Sequence, residues 1–132
     1  MAKHLRDRTY ILSENSAWIT IGGRSVHVFA NANGVNCNAY EIGKETEEPL
    51  GQCEADFSSM DMARVHGAEI GLLAGDYIAE DGVWLEVGEA SMRLQAVAGY
   101  LSCAIYRLGR EDEPALDRFR ISAAEVGTSP NP

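Results

Sequence analysis

Lysine is nearly absent from this chain. Lys3 and Lys44 stand alone against nine arginines, and acids outnumber bases by twenty to eleven. No window approaches the ~20 consecutive apolar residues of a membrane-spanning helix. The first residues, Met1 to Arg8, are polar, so neither a secretory leader nor a membrane anchor is expected. Cysteine is scarce and odd in number: Cys37, Cys53 and Cys103, with no CxxC pair. That excludes a closed disulfide framework and predicts reduced, buried thiols in a cytoplasmic protein. His4, His27 and His66 show no ligand spacing, so no metal is expected. Gly22-Gly23 lacks the downstream residues of a phosphate loop, and no nucleophile elbow is present. No catalytic residue and no cofactor are therefore assigned.

What the chain does contain is a duplication. Trp18 to Glu47 lies on Trp84 to Glu113 without a gap at an offset of 66, with ten of thirty positions identical. Trp18/Trp84, Cys37/Cys103 and Tyr40/Tyr106 are among them. At 132 residues this reads as one compact domain, 1–132, made of two repeats of about 9–74 and 76–127 that share a core.

Apolar alternation places strands around Ile19 to Ile21, Ser25 to Ala30 and Val35 to Ile42, with copies at Leu85 to Val87, Ser91 to Ala96 and Leu101 to Leu108. Asn33-Gly34 is a hairpin signal, with Ala98-Gly99 near the matching place. Weaker strands are expected at Gln52 to Phe57 and Arg118 to Ile121. Ser58-x-x-Asp61 and Ser122-x-x-Glu125 resemble capping boxes. They predict a helix from Ser59 to Ala74, with its stripe of Met62, Val65, Ile70 and Leu73, and a second helix cut short at Gly127. Thr128 to Pro132 reads as a frayed tail. The expected class is thus α+β: two tandem β-β-β-(β)-α repeats with antiparallel sheet, related by a pseudo-twofold. A helix would cover each sheet's apolar face. Gly67 and Gly71, four apart on the first helix, suit close packing against a second backbone or a dimer partner.

Two surfaces stand out. Residues 41–89 carry thirteen acids against Lys44 and Arg64, whereas residues 90–132 balance at five each. Within the acidic run Glu45, Glu47, Glu48, Glu54 and Asp56 have only Lys44 nearby. The outward face of the first repeat carries Trp18, His27 and Tyr40 among polar neighbours, the composition of a protein-binding patch. Both surfaces point to a small acidic cytoplasmic protein that binds a basic macromolecular surface, without direct nucleic-acid or membrane binding. Small inhibitors of host defence nucleases, anti-CRISPR proteins included, fit that composition by occupying a basic groove. The alternatives are an enzyme with a site between the repeats near His66, Glu69 and Cys53, and a homodimeric assembly subunit.

Overall fold

The computed structural model describes residues 3–12, 16–31, 33–57, 70–72 and 75–123. Six strands belong to the first copy: β1 (Lys3–Leu5), β2 (Thr9–Leu12), β3 (Ser16–Ile21), β4 (Arg24–Asn31), β5 (Gly34–Glu41) and β6 (Gly51–Asp56). Six belong to the second: β7 (Ile70–Leu72), β8 (Asp76–Ala79), β9 (Gly82–Val87), β10 (Ala90–Val97), β11 (Tyr100–Arg107) and β12 (Asp117–Ser122). One sheet runs β1-β8-β3-β4-β5-β6, and the other runs β7-β2-β9-β10-β11-β12.

The two orders are the same order in the two copies, with one exchange. β8 of the second copy pairs in parallel with β3 and β1 of the first. β2 of the first copy pairs in parallel with β9 and β7 of the second. The exchange follows from the length of the connections. Three residues separate β2 from β3, and two separate β8 from β9. A parallel neighbour in the same sheet needs a crossover of a dozen residues or more. A short connection reaches only ~10 Å, about the distance between stacked sheets, so the chain steps across to the other layer. Trp18 N–H donates to the Gly75 carbonyl at 2.9 Å, and Trp84 N–H donates to the Arg8 carbonyl at 3.0 Å. These two bonds secure the exchanged segments alike.

Alternation then fixes what each strand buries. Ile19, Ile21, Val26, Val28, Val35, Cys37 and Ala39 point inward from the first sheet and are buried. Val83, Leu85, Val87, Met92, Leu94, Leu101, Cys103 and Ile105 do the same from the second. All join one core. Burying each large aliphatic side chain contributes about 1.5–3 kcal/mol. The sheets close most tightly where β6 meets β12. A Cβ on Gly51 would stand 2.6 Å from the Phe119 ring and 2.8 Å from Ile121. Glu54 N–H at the edge of β6 donates to Asp117 Oδ2 at 2.9 Å.

These findings overturn the α+β expectation. No helix is present among the described residues, which form an all-β pair of sheets. Each sheet's apolar face is covered by the other sheet, so no helix is needed as a lid. The predicted first helix ends in strand: Ile70, Gly71 and Leu72 pair in register with Tyr10, Ile11 and Leu12. Gly71 is therefore a strand residue and not part of a helical close-packing face. Tertiary pairing prevails there over a weak local helical pattern already burdened with glycine. Gly67, His66, Glu69 and the rest of 58–69, with 124–132, lie outside the described residues. Lys3 to Leu5, within the polar start of the chain where no strand was expected, is strand β1. The first hairpin also shifts: the ladder closes on Asn31↔Gly34, so Gly34 opens β5 and does not sit within the turn.

The equivalent hairpin closes on Val97↔Tyr100, and its two turn residues, Ala98 and Gly99, have φ of 56° and 83°. Ala98 is the one non-glycine with positive φ among the described residues. A left-handed alanine costs about 1–2 kcal/mol, while Asn-Gly is the preferred pair in turns of this kind. Ala98→Asn is expected to raise stability by about 0.5–1 kcal/mol in urea unfolding. Gly51→Val, which overfills the β6–β12 contact, is expected to lower it by about 1–3 kcal/mol.

Candidate functional site

The outer face of the first sheet is assembled by register. Trp18, His27, Asn38 and Gln52 stand in one row across β3, β4, β5 and β6, and Phe29, Asn36 and Glu54 stand in the next. The Trp18 ring stacks on His27 at 4.4 Å and tilts against Tyr40 at 5.8 Å. His27 in turn stacks on Phe29 at 6.2 Å. Partial burial in this stack lowers the His27 pKa below the ordinary 6.5, because an imidazolium there loses hydration. His27 is therefore neutral at pH 7.

Glu45 returns over the same face. With Trp18, Thr20, Ser25, Asp76 and Ile78 it lines a recess of about 360 Å³. Glu45 Oε2 accepts a hydrogen bond from Gly43 N–H at 3.2 Å. That bond is the largest of the causes that hold its carboxyl below the usual range. Glu54 and Asp56 point outward and exposed from β6, and Glu47 and Glu48 are exposed in the loop before it. Lys44 is engaged with Glu41 at 3.4 Å. The structure thus brings together Trp18, His27, Tyr40 and Glu45, sets Glu54 and Asp56 at the sheet edge, and leaves Glu47 and Glu48 on the adjoining loop. Asp76 was missed. It reaches this face on the exchanged β8, in register with Trp18, and no local pattern could have announced it.

The second sheet repeats the frame with the opposite charge. Trp84 meets Tyr106 at 5.7 Å and 43°, against 5.8 Å and 45° for Trp18 and Tyr40. Arg93 replaces His27 and lies 5.4 Å from the Trp84 ring. Arg118 and Arg120 replace Gln52 and Glu54 on the edge strand. A groove of about 580 Å³ lies between them.

The three thiols meet in the core, although they are 16, 50 and 66 residues apart in sequence. Their sulfurs all lie within 4.8 Å of one another. Cys37 and Cys103 face each other from opposite sheets at 2.8 Å, and Cys53 lies 3.7 Å from Cys103. All three are free and buried. Burial is the first cause that pushes the Cys103 thiol well above its ordinary value. A soft metal ion would find three sulfur donors here, and the described residues offer it no fourth. Cys53, which has no sequence counterpart in the second copy, is the third member of this cluster.

No protein family, curated protein or solved structure matches this chain. Among the described residues, no helix is long and apolar enough to cross a membrane.

Two outcomes follow from this geometry. His27 has a lowered folded pKa, so protonation favours the unfolded chain. Its contribution to stability is complete above the unfolded value of 6.5 and is lost as pH falls through the folded value. The His27 Cε1 proton should titrate below 6.5 by NMR, and His27→Gln should reduce the loss of stability between about pH 7.5 and about pH 5.5. With a thiol reagent, the native chain should react slowly and the denatured chain should yield three thiols. Fast reaction in the native state would show that the core opens at the cluster.

Proposed function

We propose that this chain works by binding, and that its partner is a macromolecule with a basic surface. One observation supports this reading above others: Trp18, His27, Tyr40 and Glu45 converge on a single face bordered by exposed Glu54 and Asp56. Half-buried aromatics supply contact area, and the carboxylates around them exclude wrong partners and speed encounter. The net charge of -9 adds long-range attraction toward a basic surface.

A nuclease groove that holds nucleic acid is such a surface. On this reading the protein is a small inhibitor of a host defence nuclease, of the anti-CRISPR kind, that occupies the groove in place of nucleic acid. Carboxylates at the rim of an aromatic patch offer the groove's arginines and lysines what phosphates would offer.

The test starts with capture from bacterial lysate at low and raised salt, followed by an activity assay of any captured nuclease. Glu47, Glu48 and Glu54 are the residues to reverse, because all three are exposed and reversal leaves the Glu45 turn bond in place. The triple Lys variant should keep its fold, since exposed changes usually cost within about 0.5 kcal/mol. Its association with the partner should slow several-fold or more at low salt. Association that is unchanged in the variant overturns the role of the acidic surface. A captured partner whose nuclease activity is unaffected overturns the inhibitor reading.

A further inference from the structure

The duplication supplies an internal control for the opposite face. In the second sheet Arg93, Ala104 and Arg118 form one row across β10, β11 and β12, and Gln95, Ser102 and Arg120 form the next. The equivalent rows of the first sheet read His27, Asn38, Gln52 and Phe29, Asn36, Glu54. The Trp, Tyr and Cys frame is the same in both. Six equivalent positions therefore change from one carboxylate and no fixed cation to three guanidinium groups. The groove between them grows as well, from about 170 Å³ to about 580 Å³, where Ala104 replaces Asn38 and Ser102 replaces Asn36 at its floor.

The cations stand on both sides of the groove. Strand spacing sets Arg93 and Arg118 ~10 Å apart across Ala104, and the rows are ~7 Å apart. Arg93 is already paired: Nη1 and Nη2 donate to the two Asp7 carboxylate oxygens at 2.7 and 3.3 Å, and the group lies over Trp84. The Arg120 guanidinium stands 4.6 Å from the Tyr100 ring. Neither Arg118 nor Arg120 has an ion pair among the described residues, although the chain has acids in excess. Protection of an exposed edge strand would be served by charge of either sign, as Glu54 serves on β6. It does not account for a cationic row that reaches the central strand β10.

We propose that this groove is a binding site for a small phosphate-bearing molecule, held by Arg118 and Arg120, with the Asp7-paired Arg93 forming its opposite wall. Planar guanidinium forks match phosphate oxygens bidentately, and the two without an ion pair among the described residues, Arg118 and Arg120, suit a multiply charged oxyanion. The groove has the volume of a small-molecule site. A long polyanion is disfavoured, because the rest of the chain carries a strong negative excess that repels it. The site lies on the other sheet from the acidic aromatic face and stands independently of the partner proposed for that face.

Inorganic pyrophosphate and a nucleoside diphosphate are the probes, titrated into the intact protein by calorimetry and by Trp84 emission in a Trp18→Phe background. One saturable site is expected, weakened tenfold or more in Arg118→Gln/Arg120→Gln. Arg118→Lys should give an intermediate loss, since it keeps the charge and gives up the fork. Circular dichroism of each variant confirms that the sheets remain. No saturable binding overturns the proposal, as does binding that survives both Arg→Gln changes. Binding of an oligonucleotide in preference to both small probes also overturns it and makes the face a nucleic-acid surface.

Discussion

Everything in this molecule depends on the reciprocal exchange of one short strand. β2 and β8 each lie in the sheet built by the other copy, paired in parallel on both sides. Their connections to the next strand are too short to fold back within a sheet but long enough to cross to the facing one. Once both connections have crossed, neither copy has a complete sheet without the other. The two copies consequently share one core.

The exchange also explains the character of the interior. Cys37 and Cys103, which point inward from equivalent positions, meet across the sandwich. The contacts are not uniform. At the β6–β12 edge Gly51 leaves the room that Phe119 and Ile121 fill, and Cys53 takes the place that Phe119 holds in the other copy. At several equivalent positions the first copy has the smaller inward residue and the second the larger, as in Ala39/Ile105 and Cys53/Phe119, so the core is filled without strict symmetry.

Outside, the same frame has been put to two uses. An aromatic pair at matching geometry anchors each outer face. Around it the first copy carries carboxylates and amides and the second carries arginines. A molecule with a strong net negative charge thus keeps one compact cationic groove on the face turned away from its acidic one. The contrast between copies separates what the fold requires, which both retain, from what each surface does, which differs.

The sequence by itself determined the duplication, the strands of the outer hairpins and the inward phase of their apolar residues. A period of two along a strand is a local property that survives in any context. It also placed Trp18, His27 and Tyr40 on one face, because that face follows from the same alternation. Ile70 to Leu72 were misread as the end of a helix because Ile70 falls in a helical stripe with Met62, Val65 and Leu73, and nothing local shows that Ile70 to Leu72 must complete a ladder with β2. Asp76 beside Trp18, Arg118 and Arg120 beside Arg93, and Cys53 beside Cys103 were equally beyond reach. Each of those neighbours is set by strand order or by the stacking of two sheets. Such long-range pairings are chosen by the burial and hydrogen bonding of the whole chain, so only the tertiary structure decided them.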